Sequence, residues 1–198
     1  MISLKQPEVF ENVTIPFKKM ILGIIILFIV LLIVSHYLKY KKSNEKYEIL
    51  QINNPVDNYT KYFNEELPLV ILNHNESDLN NIISPITIVK NTIILDKLDD
   101  KYMYHNKDNL FIIADEETYI NLSIPGELKN FKKTTEQNKH VRILSLDNKN
   151  SKSITIVLKK GNIVRVPKFW IFNIENSTKN VKIFYSQTLF SSLFSIFN

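Results

Sequence analysis

The sequence predicts an all-β domain, a sandwich or small barrel, preceded by a single transmembrane helix. Two observations predict it. Residues 20–38 form one unbroken apolar run, and from Leu67 onward short β-branched runs alternate with Asn, Asp, Lys and Pro. A third narrows the chemistry: the 198 residues include no cysteine and only three glycines. Zero cysteine excludes a disulfide-stapled module, a Cys-ligated zinc or iron–sulfur centre and a thiol nucleophile. Neither a dinucleotide fingerprint nor a Walker loop occurs, as both need several glycines close together.

Residues 1–19 read as an N-terminal tail and 20–38 as the helix. From Met20 to Val34 every residue is apolar or glycine, and the run continues to Leu38. At about 1.5 Å per residue it spans roughly 28 Å, the thickness of a hydrocarbon core. Lys18 and Lys19 flank one end and Lys39, Lys41 and Lys42 the other, where long side chains reach headgroups. Tyr37 and Tyr40 suit interfacial depth. A core helix would keep a polar face, and this run has none. A cleaved signal peptide would end in small residues, whereas SHYLKYKK is bulky and basic. The run therefore reads as a retained single-pass anchor. Lys39, Lys41, Lys42 and Lys46 outnumber Lys5, Lys18 and Lys19 by one, a slight lean to a C-terminal domain on the cytosolic or interior side.

The anchor also accounts for the charge. Residues 1–44 hold six lysines against two glutamates, +4 of the total +5, so the remainder carries only +1. A nearly neutral domain lacks the electrostatic footprint for a phosphate backbone, which excludes nucleic acid and leaves the bilayer as the partner of the basic end.

Residues 39–66 read as a polar stalk, with an apolar patch at Ile49–Ile52 that can add an edge strand. The β domain then occupies 67–198. Strands are predicted at 67–72, 86–95, 109–115, 117–124, 140–146, 153–159, 162–167, 170–175 and 181–187, with a short helix over 189–197. In 117–124, Tyr119, Asn121 and Ser123 face one way and Ile120, Leu122 and Ile124 the other. Gly126 and Gly161 fall at turns, where positive φ is often needed.

Two segments carry a resemblance. In 158–174, Gly161, Pro167 and Trp170 have the spacing G-x5-P-x-x-W. Upstream, Asp108 and Asn109 precede strand–turn–strand and Pro125. Together these resemble the conserved motifs of the cupin and JmjC-like family, over about a third of the soluble part. The resemblance implies a jelly-roll barrel in which proline ends a strand at the rim and tryptophan packs into the mouth. Membrane-anchored, lysine- and asparagine-rich cupin-like proteins of large DNA viruses are similar, with a Tyr-containing strand that here would be VKIFYSQT, with Tyr185.

Enzymes of that family hold a divalent metal with two histidines and a carboxylate. In this register the positions fall at Met103, His105 and Phe172, and none retains its ligand. His36, His74, His105 and His140 do not pair at metal-ligand spacings. His105 with Asp108 is the best polar pair near the expected mouth. Asp99-Asp100 and Asp115-Glu116-Glu117 read as solvated turns, and Asn-x-Ser/Thr sites such as those at Asn58, Asn75, Asn121 and Asn176 as chance in an Asn-rich chain. The expectation is therefore a non-enzymatic, membrane-anchored interaction or structural module, viral by resemblance, with no metal or cofactor. Its partners would be the bilayer and a protein or a second copy. The alternative is a metal-dependent oxygenase or sugar-modifying enzyme with atypical ligands.

Overall fold

The computed structural model describes residues 17–53, 58–73, 82, 89–94, 101–105, 107–137, 141–147, 151–175 and 181–187. The chain divides into two compact units, Met1–Leu38 and Lys39–Asn198. Helix α1, Phe17–Ser43, contains the apolar run. It is long and apolar enough to cross a bilayer, and its hydrophobic side chains are exposed. A core helix would bury one face, and this one buries none of its apolar span.

The second unit is mostly β. Its strands are β1 (Leu50–Asn53), β2 (Leu69–Leu72), β3 (Val89–Ile94), β4 (Tyr102–Tyr104), β5 (Asn109–Ala114) and β6 (Thr118–Ser123). They continue as β7 (Phe131–Gln137), β8 (Arg142–Leu146), β9 (Ile154–Leu158), β10 (Ile163–Pro167), β11 (Ile171–Glu175) and β12 (Val181–Gln187). One six-stranded sheet has the order β1-β2-β10-β5-β12-β3, the other β7-β8-β4-β11-β6-β9. A simple rule underlies both. The pairs β6·β9, β5·β10, β4·β11 and β3·β12 are all antiparallel. Strands 3 to 6 and 9 to 12 thus form one long two-stranded ribbon, whose successive pairs fall alternately in the two sheets. The β7–β8 hairpin is inserted at the ribbon's closed end and extends the second sheet.

All nine expected strands are present among the described residues, most over a shorter range. Three more were not expected as full strands. The apolar patch after α1 became β1, paired parallel to β2 at the edge. Strand β4 has three residues, too few for a period-2 signal. Strand β7 is polar because it is an edge, with Lys132 and Lys133 exposed to water. The helix expected over 189–197 lies outside the described residues.

Alternation places the core. Ile120 and Leu122 of β6 point between the sheets with Leu110, Ile112, Val164, Val166 and Ile183, so the in–out pattern expected for β6 holds. The outer face of the first sheet carries Leu69, Ile71, Phe111 and Ile163, covered by a short helix α2, Tyr59–Phe63. Helix α2 starts because the Asn58 side chain accepts a hydrogen bond from Thr60 N at 2.9 Å. Its Phe63 packs on Phe111 at 6.0 Å between ring centroids. Residues 39–66, read as a polar stalk, therefore contain an edge strand and a covering helix.

The turn glycines serve different ends. Gly161, between β9 and β10, has φ 81°, as expected. Gly126 lies in a 3-10 turn, Pro125–Asn130, and no positive φ explains it. Its N–H donates to Asn44 Oδ1 at 2.7 Å, and an added Cβ would lie 2.7 Å from that oxygen.

Trp170 is the single tryptophan and is fully buried between the sheets, so its fluorescence reports on this core. Leu122→Ala is expected to destabilise the domain by about 2–5 kcal/mol in urea titration. Val157→Ala, on the exposed side of β9, is expected to change it by less than about 0.5 kcal/mol.

Candidate functional site

The site follows from how β4 meets β11. Met103 and Phe172 are direct partners across these strands and both are fully buried in the inter-sheet core. His105, two residues after Met103, is also buried, its ring 6.1 Å from Phe172 at 72°. The three positions to which the resemblance assigned metal ligands are thus brought together. A thioether, an imidazole and a phenyl ring occupy them. A single imidazole between a thioether and a phenyl ring does not make a divalent-metal site, and among the described residues no group of three His, Cys, Asp or Glu could hold one.

The turn joining β10 to β11 closes this end. Pro167 ends β10, and Trp170 N donates to Pro167 O at 3.3 Å. Phe169 N donates to His105 O at 3.3 Å, tying the turn to the end of β4. Phe169 carries φ 74°, a conformation that suits glycine or asparagine, and a bulky residue there costs of order 1–3 kcal/mol. Burial of its ring and an edge-on contact with Tyr40 at 5.5 Å offset that cost.

His105 is electrostatically unusual. Burial drives its pKa down to about 3, helped by the nearby Lys168 and Arg165 charges. Neither ring nitrogen makes a well-formed hydrogen bond, although backbone groups of Pro167 and Lys107 lie close enough to counter the shift in part. The imidazole is therefore neutral at physiological pH. No hydrogen bond joins it to Asp108, whose charge acts on Arg165, Lys168 and Lys107 instead. The pair singled out from sequence is close in the chain but is not a working dyad.

Sequence reasoning missed the group beside it. Arg165 of β10 is buried, and its Nε donates to Asn109 Oδ1 at 2.6 Å. Its terminal nitrogens donate to Leu67 O and Phe63 O, each at 3.1 Å, with the Glu66 carboxylate 3.7 Å away. The guanidinium carbon stands 4.8 Å from the centre of the Phe63 ring. Burial lowers its pKa to about 10, against the pull of Glu66 and Asp108, so it stays charged at neutral pH. Asn109 then donates to Ser186 Oγ at 3.2 Å. A signal existed: Arg165 is one of two arginines in a lysine-rich chain, and it interrupts an apolar strand. A planar donor fork at a buried position points to fixed acceptors around it.

The other sequence-selected residues are placed as follows. Pro125 is buried at the start of the 3-10 turn, and Trp170 leaves its Nε1 without a partner. Tyr185 is buried beneath Lys107, whose ammonium is 5.0 Å from the ring centre. Of the lysines that flank the apolar run, Lys39 lies 3.8 Å from Glu66 and Lys42 lies 3.5 Å from Glu65. Lys19 and Lys41 are exposed, and the Lys18 side chain is outside the description. Asp115, Glu116 and Glu117 form the exposed β5–β6 turn. Asn121 is buried in β6 and hydrogen-bonded, so it is no acceptor for a glycan, whereas Asn58 is exposed. His74, His140, Asp99, Asp100, Asn75 and Asn176 lie outside the described residues.

No protein-family profile matches the chain, and no curated protein matches it in sequence. Among solved structures it is similar to hydroquinone 1,2-dioxygenase PnpCD, crystallised with Cd2+ and 4-hydroxybenzonitrile. The identity is 16% and the TM-score 0.31, over 54% of this chain and 60% of that one.

Two outcomes are expected. Arg165→Met leaves two buried carbonyls without their donor and Glu66 with Lys39 as its remaining cation, and should cost about 3–5 kcal/mol, read by Trp170 fluorescence in urea. For His105, the unfolded imidazole takes a proton near pH 6.5 and the folded one near 3. Stability from this group is complete above pH 6.5 and is lost as pH falls from 6.5 towards 3. Stability measured from about pH 7 to about pH 5 should therefore fall in the native chain and fall less in His105→Phe.

Proposed function

We propose that this chain is a single-pass membrane protein displaying a cupin-like jelly-roll barrel that acts as an interaction module and not as an enzyme. The observation that carries the reading is Met103 against Phe172. Where a metalloenzyme of this kind needs ligands and an open coordination position, two large apolar side chains meet in a closed core. The jelly-roll assignment is supported by the ribbon of paired strands running through two facing sheets, the double Greek-key arrangement used by cupins. The membrane assignment is supported by the exposed apolar length of α1 with lysines at both ends. The partners are the bilayer and a protein or second copy of the chain. A virion or host membrane is assigned on the resemblance to viral cupin-like proteins alone.

One feature favours the competing reading of an oxygenase or sugar-modifying enzyme with atypical ligands. His105 keeps an imidazole in the interior with neither nitrogen in a well-formed hydrogen bond. Elemental analysis of the full chain, purified from membranes without chelator, separates the two. No stoichiometric iron, manganese or zinc is expected; a stoichiometric metal that disappears in His105→Phe would establish the enzyme reading instead. The chain is also expected to stay in the membrane pellet after alkaline carbonate washing, and its release would contradict the anchor.

A further inference from the structure

Residues 39–43, the end of α1 that belongs to the second unit, are fixed on one end of its two sheets. Ser43 Oγ donates to Lys168 O at 3.3 Å, and Tyr40 meets the Phe169 ring edge-on. Lys39 pairs with Glu66 at 3.8 Å and Lys42 with Glu65 at 3.5 Å. Register shows which other residues share this end. Asn109 stands opposite Pro167, and Tyr104 opposite both Ile171 and Arg142. Lys107, Asp108, Arg142 and Lys168 therefore lie around the β10–β11 turn on which residues 39–43 rest.

This end is electropositive. Seven cations, Lys39, Lys41, Lys42, Lys107, Arg142, Arg165 and Lys168, stand against three carboxylates, Glu65, Glu66 and Asp108, a surplus of four among the described residues. Around its margin Glu45, Glu48 and Glu127 are matched by Lys46, Lys129 and Lys152. The carboxylates are shared: Glu66 serves Arg165 and Lys39, and Asp108 acts on Arg165, Lys168 and Lys107. Lys168 is buried, its ammonium 5.3 Å from the centre of the Phe169 ring. Burial lowers its pKa, and the Lys39 and Lys107 charges lower it further against the pull of Asp108 and Glu66. It does not touch an outside ligand, but its poorly screened charge adds to the field. Lys39, Lys41 and Arg142 are exposed, and Lys42 and Lys107 half-buried, so an anion outside the domain reaches them.

We propose that this end of the domain binds the anionic headgroups of the adjacent leaflet and holds the domain against an acidic membrane surface. The inference rests on the single-pass reading and deepens it by naming the lipid class. Position favours lipid over an acidic protein. Lys39 follows the apolar run directly, so the surface on which residues 39–43 rest is close to the headgroups. Each Lys or Arg near an acidic surface strengthens attachment by a factor of about five, and the effect fades within a Debye length, about 10 Å at 0.1 M salt. Lys159 and Lys160 precede the start of β10, at the far end of a strand roughly 17 Å long, and so lie beyond that range.

The test uses the full chain in phosphatidylcholine vesicles, with spin-labelled phosphatidylserine or phosphatidylcholine as the probe. Electron paramagnetic resonance gives the relative association of the two lipids with the protein. Phosphatidylserine should associate at least about threefold more strongly at about 0.05 M salt, and the preference should shrink at about 0.5 M. Lys107→Gln with Arg142→Gln should remove at least about half of that preference while residues 39–43 stay intact. Arg142→Gln alone, at an exposed position, should remove part of it and guards against misfolding of the pair. Lys159→Gln with Lys160→Gln takes the same charge from the far end and should leave the preference unchanged. No preference for phosphatidylserine overturns the inference and leaves the basic end to an acidic protein. A preference that survives the Lys107 and Arg142 changes, or falls equally in both double variants, overturns it too. So does its loss in about 10 mM inorganic phosphate at constant ionic strength, which would indicate a site for the free anion. Alkaline carbonate washing separates the two readings. Release of the chain overturns the anchor and this inference with it, whereas retention without lipid preference overturns this inference alone.

Discussion

Folding one long antiparallel ribbon over on itself leaves two sheets about 10 Å apart, and side chains from both inner faces must fill the space between them. That constraint organises the domain. Strand β5 pairs with both β10 and β12, and β11 with both β4 and β6, so each sheet is locked by strands distant in sequence. The inner positions are taken by Ile, Leu, Val, Trp, Met and Phe. Met103 and Phe172 belong to this packing as much as Leu122 does. A metal centre at their positions would require both to be replaced and a solvent path to be opened.

The same constraint explains Arg165. It occupies the outward side of β10 where α2 closes over the sheet, and a guanidinium there cannot be left to water. Backbone carbonyls of the α2 turn, the Asn109 amide and the Glu66 carboxylate surround it. Glu66 reaches it from a positive φ of 52°. A buried ion pair of this kind contributes little net stability against an apolar alternative, yet losing one member is expensive. It fixes where the α2 turn sits on the sheet.

Much of the fold was legible because β5, β6, β10 and β11 are short apolar, β-branched runs bounded by turn residues, and because β6 alternates in and out. What escaped was short or polar for a reason. Strand β4 has only three residues, β7 is an edge that water solvates, and α2 is too short to show a helical period. The candidate site was half legible. The motif spacing led to Met103, His105 and Phe172, which do meet. The Arg165 network was not legible, because its acceptors are mostly backbone carbonyls, and a sequence does not show which carbonyls will face a buried strand.

An inert interior and functional outer surfaces form one account. The ribbon supplies a packed body, α1 is long and apolar enough to cross a bilayer, and the proposed role leaves recognition of a partner to the outer side chains. The filled interior is tested most directly by thermal unfolding of the full chain with and without about 1 mM Mn2+ or Fe2+. A specific site on the folded state would raise stability by mass action, by about 2.7 kcal/mol at a hundredfold excess over Kd. The account predicts the same Tm with and without metal, in the native chain and in His105→Phe. A metal-dependent rise in Tm that His105→Phe abolishes would contradict it.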